Sequence, residues 1–429
     1  MRTRAAAVVA LMVGCAAPAP LAEPVAPAPI VAPRPIVEPA ARAEIGATEE
    51  APPTAPAPEP KPPPPAQEAV ERLRRRLVAA IARRKNAGTE RSILIVDVAS
   101  GAVLFEDGAD RALIPASNAK LFTTAAAVAR LGDDHRLSTR ILASAAPVDG
   151  VVTGDLTLRS GEDFTWALRS PKDPAAIVDE LVDRLADGGV RRVDGAARAE
   201  GTFHVEGARA GELDEDAQRA KAKARFVRAL ARRKIALGAR AIGGRTTVEL
   251  AAIASPPLVE AIVPINTRSH NAFAELLLRH LGAELANDPT AAGGARAVLG
   301  WASETGVAGE GLALVDGSGL SRSDRASARA IVALLVAMHR RGPSFEATLA
   351  IAGTSGTLQK RLLGDDTRAR VIGKTGTLAE VAALSGLVHN RHDDRRVAFA
   401  IVQNGARDIA AARALEDELV TLVAARWSD

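Results

Sequence analysis

The sequence contains no tyrosine and one cysteine, and aromatic residues of any kind make up only 3% of its 429 residues. The absence of tyrosine excludes every mechanism that needs a phenolate base. The single cysteine, Cys15, excludes an intramolecular disulfide. Neither sign of charge dominates, because 55 lysines and arginines stand against 51 acidic residues and the two signs are interleaved. A nucleic-acid partner is therefore not expected, since it would require a denser basic stripe.

Hydrophobic residues make up 47% of the sequence and charged residues 25%. At this length, such a composition supplies a sizeable core and allows two or three domains. A collagen, a coiled coil and a fully disordered chain are excluded, because no corresponding repeat or charge excess runs through the sequence.

The first 14 residues have the pattern of an export signal. Two arginines within Met1–Arg4 precede the apolar run Ala5–Val13, which is too short to span a bilayer. Met12-Val13-Gly14-Cys15 resembles a bacterial lipobox, in which the cysteine is lipidated and becomes the new N-terminus. An ordinary cleaved signal peptide followed by a chance cysteine is the alternative. We predict a signal peptide over 1–14, lipidation at Cys15, a periplasmic location, and membrane contact only through this N-terminal segment.

A proline-rich segment follows the cysteine. Residues 18–65 hold 17 of the 26 prolines, mixed with alanine, glutamate and valine. Such a segment cannot form a packed core, so we predict a polyproline-rich linker over 15–65, with passive spacing as its simplest role. Fully extended, it would reach about 150 Å at ~3.1 Å per residue.

The folded part begins at residue 66, because only 9 prolines occur in the remaining 364 residues. Apolar residues at helical spacing predict helices over 66–84, 117–131, 175–185, 214–234, 271–281, 327–340 and 409–427. Strand-like runs occupy 92–98, 102–106, 154–158, 370–376, 383–389 and 396–403. Strands at both ends with helices between them indicate that the N- and C-terminal segments share one sheet.

Ser117-Asn118-Ala119-Lys120 stands at the start of a predicted helix, behind Pro115. Positions i and i+3 share one helix face, so the Lys120 amine can approach the Ser117 hydroxyl. A serine becomes a good nucleophile when a neighbouring base takes its proton, and a lysine can be that base if its pKa is lowered. The helix N-terminus also offers N–H groups to an oxyanion. An N-cap serine followed by a solvated lysine is the alternative for an isolated motif.

Two further motifs, Ser269-His270-Asn271 and Lys374-Thr375-Gly376, follow at separations of 152 and 105 residues. This order and spacing match serine enzymes that acylate on a Ser/Lys pair. In the second motif, the hydroxyl can shuttle a proton and the amide can hold the peptide bond of a substrate.

The third motif supplies a charge and a strand. Lys374 places a positive charge beside Ser269 and opposite a substrate carboxylate. Gly376 on an edge strand lets a peptide lie against the backbone. The N–H of Thr377 can complete an oxyanion hole with that of Ser117.

Three other patterns have simpler explanations. Gly373-Lys374-Thr375 could belong to a phosphate loop, but Arg368 stands where such a loop needs glycine. His389, His392, Asp393 and Asp394 could form a metal cluster, but a solvated hairpin turn is expected there. Asp316-Gly317-Ser318-Gly319 resembles a nucleophile elbow without its first glycine, so we predict a tight turn near the cleft.

The motifs and their surroundings resemble the penicillin-binding D-alanyl-D-alanine carboxypeptidase/endopeptidase family. The similarity covers about residues 90–425 and includes the stretches PASNAKLFTTAAAVARLG, SPPLVEAIVPINTRSHNAFAELLLRHLGA, VDGSGLSR and GKTGTLAEVAALSG. The family fold implied is an α/β (α+β) domain of the serine transpeptidase/β-lactamase type, with helices on both faces of an antiparallel sheet.

The resemblance also implies roles for the motif residues. Ser117 would be the acylating nucleophile and Lys120 its base, with Ser269 and Asn271 lining the cleft. Lys374, Thr375 and Gly376 would bind the terminal carboxylate and the substrate strand. The implied substrates are peptidoglycan stem peptides ending in D-Ala-D-Ala and the D-Ala cross-links between them. β-Lactams would act as suicide analogues, and no metal or cofactor is implied.

The resemblance places a catalytic domain at 66–144 and 251–429, interrupted by an insertion region at 145–250. We expect this region to be shortened and mostly replaced by the charged helix, which leaves open the choice between trimming stems and cutting cross-links. His270 stands where Asp or Asn is usual, and its side chain is expected to point away from the serine. Gly161-Glu162-Asp163-Phe164 loosely echoes a Gly-Gly-Asp-Pro turn of the family.

Two other functions are carried forward as alternatives. A β-lactamase or esterase could use the same scaffold, although no added deacylating base is evident. A wall-binding lipoprotein could keep the cleft and turn over slowly or not at all. The intact catalytic motifs disfavour this second alternative.

Overall fold

The computed structural model describes residues 63–84, 88–203, 214–392 and 394–427, which belong to one compact unit. The predicted signal peptide, Cys15 and the linker up to residue 62 lie outside the described residues. No helix in the described part of the chain is long and apolar enough to cross a membrane.

The described strands, in chain order, are β1 (Glu90–Asp97), β2 (Val103–Asp107), β3 (Ser138–Ala143), β4 (Val151–Val152), β5 (Leu156–Arg159), β6 (Arg192–Val193), β7 (Ala197–Glu200), β8 (Ala236–Leu237), β9 (Val248–Ala254), β10 (Ala350–Ile351), β11 (Val371–Leu378), β12 (Val381–Asn390) and β13 (Arg395–Asn404). The described α-helices are α1 (Gln67–Arg83), α2 (Ala119–Leu131), α3 (Trp166–Arg169), α4 (Ala176–Asp187), α5 (Glu215–Arg232), α6 (Leu258–Ala261), α7 (Val263–Thr267), α8 (Asn271–Ala286), α9 (Ala291–Glu304), α10 (Ala328–Arg341), α11 (Pro343–Glu346) and α12 (Ile409–Ala424).

The main sheet has six strands in the order β10-β11-β12-β13-β1-β2, and each neighbouring pair is antiparallel. In its centre β1 pairs with β13, so that Glu90 lies opposite Asn404 and Asp97 opposite Val397. The prediction that the two ends of the folded chain share one sheet is therefore confirmed. Such a pairing needs the long intervening segment to return to the same sheet, and β12, which precedes β13, already belongs to it.

Both faces of the sheet are buried, which explains why its central strands read as nearly continuous apolar runs. Successive residues of a strand point to opposite faces. In β13, Ala398, Ala400 and Val402 join the core shared with α2, α8 and α10, whereas Phe399 and Ile401 join the core shared with α1 and α12. On the first face α10 packs against β13 and β1, whereas the turn that carries the first motif packs against β11 and β12.

The predicted long elements are confirmed to within a few residues. The predicted hairpin forms β1 and β2, and the three C-terminal runs form β11, β12 and β13. The predicted C-terminal helix ends at Ala424, before Trp427. The predicted fold class, an antiparallel sheet flanked by helices on both faces, is also confirmed.

A second region of strands and helices occupies residues 138–254. It contains a four-stranded sheet, β7-β5-β3-β9, and a three-stranded parallel sheet, β4-β6-β8. Helices α4 and α5 pack on these sheets through buried side chains that include Leu181 and Phe226. The expectation that a charged helix makes up most of this region is wrong, because seven strands and a core of their own are present.

The edges of this region differ slightly from the predicted limits. Strand β3 begins at Ser138 and β9 ends at Ala254. The four-stranded sheet that contains them therefore extends beyond the predicted limits, residues 145 and 250, at both ends. Division of the chain into separate domains at those positions stays a prediction.

Candidate active site

Ser117 lies in a single 3₁₀ turn, Ala116–Asn118, that leads directly into α2. This turn is held under strain, because the non-glycine residue Ala116 has a φ of 48°, in the left-handed region. Ser117 is partly exposed, whereas Lys120, one turn further along, is fully buried. The first motif therefore presents its hydroxyl to solvent and keeps its amine inside the protein.

Lys120 is the centre of the site. Its Nζ lies 2.9 Å from Ser117 Oγ and 2.7 Å from Asn271 Oδ1. It also donates to the backbone carbonyl of Ser318. The first and second motifs and the predicted turn at 316–319 thus meet at one amine, although more than 150 residues separate the first two.

Burial lowers the pKa of Lys120 from 10.5 to about 7, because the charged form loses its hydration inside the protein. The carboxylates of Glu275, Asp316 and Asp324 act in the opposite direction and raise the same pKa. A large fraction of Lys120 is therefore neutral near pH 7 and able to accept a proton from Ser117. The N-cap alternative for Ser117 is excluded, because α2 has no side-chain cap and Lys120 is not solvated.

Lys374 forms a second buried amine on β11. Its Nζ lies 2.9 Å from Ser269 Oγ and 2.8 Å from the carbonyl oxygen of Thr375. Burial lowers the pKa of Lys374 well below its ordinary value, and the nearby charge of Lys120 acts in the same direction. Two ammonium groups in one dry site repel each other, so the site favours the neutral form of at least one lysine.

The second motif reaches the site through the start of α8. Ser269 has a φ of 61°, and this strained backbone turns its hydroxyl towards Lys374. His270 is the N-cap of α8: its Nδ1 accepts from the N–H of Phe273, and its ring stacks on Phe273 at a centroid distance of 3.7 Å. The His270 side chain is thus held against the first turn of α8, and its effect on the serine stays a prediction.

Strand β11 offers a free edge beside Ser117. On its outer side, β10 pairs only with Ile372 and Gly373, so residues 374–378 have no strand partner there among the described residues. At Gly376, a Cβ atom would lie 2.8 Å from the carbonyl oxygen of Pro115. Glycine is therefore required for the close approach of β11 to the turn that carries the serine.

The side chains around this edge include residues that sequence reasoning missed. Thr375 Oγ1 and Thr357 Oγ1 are 2.8 Å apart, and Thr377 Oγ1 accepts from Arg413 at 2.9 Å. Glu275 and Asp324, which act on Lys120, were also not predicted. Glu275 carried one usable signal, because it lies four residues after Asn271 and therefore on the same face of α8.

The other sequence patterns are accounted for outside the site. Lys374 lies inside an antiparallel strand, so the phosphate-loop alternative is wrong. His392 pairs with Asp366 at 2.8 Å, and His389 with Asp394 at 3.2 Å, around the turn between β12 and β13. Asp393 lies outside the described residues. Within the described residues, no group of three or more His, Cys, Asp and Glu side chains is arranged to bind a metal.

A serine at the start of a helix, a buried lysine one turn later and a free antiparallel strand edge define a penicillin-recognising serine enzyme. Residues 73–224 and 215–426 match the D-Ala-D-Ala carboxypeptidase 3 (S13) family, and the chain belongs to this family. It is a serine D-Ala-D-Ala peptidase, as the sequence motifs predicted.

Two curated relatives illustrate the similarity. Carboxypeptidase DacB of Mycolicibacterium smegmatis is 31% identical over 358 residues, which cover 73% of this chain and 76% of the relative. The D-alanyl-D-alanine carboxypeptidase of Actinomadura sp. is 28% identical over 422 residues, with 74% of this chain and 78% of the relative covered.

A solved structure shows the same fold. Penicillin binding protein 4 (dacB) from Haemophilus influenzae, in complex with a β-lactam, superposes with a TM-score of 0.65 at 19% identity. The superposition covers 80% of this chain and 98% of the other.

Proposed function

We propose that this chain cleaves the D-Ala-D-Ala bond of peptidoglycan stem peptides through an acyl-enzyme on Ser117. The observation that carries the proposal is the position of Lys120, a fully buried amine with Nζ 2.9 Å from Ser117 Oγ. Its pKa of about 7 suits a general base at neutral pH. The names of the curated relatives, both carboxypeptidases, support the substrate class.

In the proposed acylation step, neutral Lys120 takes the proton of the Ser117 hydroxyl. Oγ then bonds to the carbonyl carbon of the penultimate D-alanine, and the electrons of the C=O move to oxygen. The N–H groups of Ser117 and Thr377 stabilise this oxyanion. When the C–N bond breaks, the leaving D-alanine takes a proton from the Ser269 hydroxyl, which Lys374 resupplies from 2.9 Å.

The remaining motif residues bind the substrate. The peptide lies along the free edge of β11, where Gly376 allows close approach of its backbone. Thr375 and Lys374 meet the terminal carboxylate, and Asn271 holds the peptide amide. The proton that Lys120 took from Ser117 restores the charge of Lys374, so Lys120 is neutral again. Water then bonds to the ester carbonyl carbon and gives a proton to Lys120. When the C–Oγ bond breaks, Lys120 returns that proton to Ser117 Oγ and the shortened peptide leaves as its carboxylic acid.

We also propose that the protein works outside the cytoplasm, where stem peptides occur. Residues 1–14 would direct export, Cys15 would carry the lipid, and the proline-rich linker would separate the enzyme from its anchor. The sequence pattern supports this arrangement. The balance between carboxypeptidase and endopeptidase activity depends on the region at 138–254, which lies between the first two motifs in the chain.

The proposal is tested with the purified protein, a pentapeptide ending in D-Ala-D-Ala, a cross-linked dimer and a fluorescent penicillin. We expect one D-alanine released per pentapeptide and a penicillin adduct that decays slowly. Decay within seconds, without D-alanine release, would favour a β-lactamase. A folded protein that neither labels nor releases D-alanine, yet binds peptidoglycan, would contradict the proposal and support the wall-binding alternative.

A further inference from the structure

The turn Asp316–Gly319 brings a backbone carbonyl to the proposed base. Its Ser318 carbonyl accepts from Lys120 Nζ. Both glycines of the turn are required by close packing. A Cβ atom at Gly317 would lie 2.4 Å from the Ala274 carbonyl oxygen, and one at Gly319 would lie 1.9 Å from that of Ala116. The turn is thus wedged between α8 and the residue that precedes Ser117.

Two carboxylates hold this turn by its N–H groups. Glu275 Oε1 accepts from the N–H of Ser318 at 3.0 Å, and Glu275 Oε2 accepts from that of Gly317 at 3.2 Å. Asp316 accepts from the N–H groups of Ser318, Gly319 and Ser321. With its N–H groups bound on one side, the turn directs the Ser318 carbonyl to the other, towards Lys120.

Glu275 connects this turn to the second motif. It lies on α8, one turn after Asn271, whose Oδ1 is 2.7 Å from Lys120 Nζ. Helix α8 therefore positions two acceptors of the Lys120 amine. It carries Asn271 itself, and it holds the Ser318 carbonyl through the Glu275 carboxylate. Of these two residues, only Asn271 belongs to a motif recognised in the sequence.

We propose that Glu275 is a positioning residue for the base Lys120: by binding two N–H groups of the Asp316–Gly319 turn, it fixes the Ser318 carbonyl that orients the Lys120 amine. This inference rests on the proposed function, because it assigns Glu275 to the activation of Ser117. Glu275 acts without touching the substrate. Its carboxylate also contributes a negative charge to the surroundings of Lys120.

Several charged groups face Lys120, and all contribute to its titration. Glu275, Asp316 and Asp324 favour its protonated form, whereas Lys374 opposes it. Burial and the charge of Asp316 raise the pKa of Asp324 to about 7, so Asp324 and Lys120 titrate in the same range. The acidic limb of the acylation rate therefore belongs to this set of groups. Loss of the Glu275 charge lowers the pKa of Lys120, so the limb must move to lower pH.

The test compares Glu275→Gln with wild type and with Glu284→Gln, a change at an exposed position of the same helix. Glutamine keeps the shape of glutamate but removes its charge. Its NH₂ group also replaces one of the two carboxylate oxygens, so one backbone N–H of the turn loses its acceptor. The second-order rate of acylation by a fluorescent penicillin is measured from pH 5 to 9, alongside thermal unfolding. Glu275→Asp, which keeps the charge but shortens the reach, is measured in parallel.

For Glu275→Gln we expect a plateau rate reduced about 10-fold or more, and an acidic limb about half to one pH unit lower than in wild type. Glu275→Asp should be slowed with its limb unmoved, and Glu284→Gln should match wild type. An unmoved limb in folded Glu275→Gln, or a wild-type rate in either Glu275 variant, would overturn the inference. Failure of wild type to label would instead refute the proposed function.

Discussion

Replacement of Ser117 by alanine is expected to abolish penicillin labelling and to lower D-alanine release by about 10⁴-fold or more. The variant removes the hydroxyl proposed to form the acyl bond, while Lys120 and the strand edge of β11 remain. Little effect on folding is expected, because Ser117 is partly exposed and its Oγ contacts Lys120 alone in the hydrogen bonds described. Labelling is followed on a gel, and D-alanine release by a coupled assay.

The matched control is Ser303→Ala, at an exposed position of α9. It makes the same chemical change at a position outside the three motifs and should retain wild-type labelling and turnover. A Ser117→Ala variant that keeps more than about 1% of the wild-type turnover would place the nucleophile elsewhere.

Replacement of Lys120 by methionine should nearly abolish acylation while the fold is retained. Methionine has a similar length and no base, so the Ser117 proton loses its acceptor, and we expect a rate at least about 10³-fold lower. Removal of the fully buried amine ends its desolvation cost but leaves Asn271 Oδ1 and the Ser318 carbonyl without this donor, so the two effects on stability oppose each other. Acylation is measured by labelling with fluorescent penicillin, quenched at a series of times, and stability is measured by urea unfolding.

Lys223→Met, on the exposed face of α5, serves as the control for the same substitution. It should leave the acylation rate unchanged. If Lys120→Met acylates within about 10-fold of wild type, another group is the base, and Lys374 would be the first to test, since its own pKa is also lowered.

Local periodicity was sufficient to predict most of the catalytic fold. The long strands and amphipathic helices carry enough apolar residues to reveal their period, and Ser117 and Lys120 come together through i, i+3 geometry alone. The meeting of Lys120 with Asn271 could not be derived in this way. That contact depends on how α8 packs against α2, and only the combined motif pattern pointed to it.

The region at 138–254 was predicted least well, for a physical reason. Strands β4, β6 and β8 have two residues each, too few to show an alternating pattern, and they exist because tertiary packing holds them. The role of Glu275 was hidden for a similar reason, since its partners are backbone N–H groups of a turn more than 40 residues away. Because every residue except proline has a backbone N–H, such a contact leaves no pattern of residue types in the sequence.

Acylation at Ser117 is tested most directly by peptide mass mapping after reaction with penicillin. We expect one adduct per chain, located on the peptide that contains Ser117 and absent from Ser117→Ala. An adduct on any other residue, or none on a folded protein under conditions that label a known penicillin-binding protein, would contradict it.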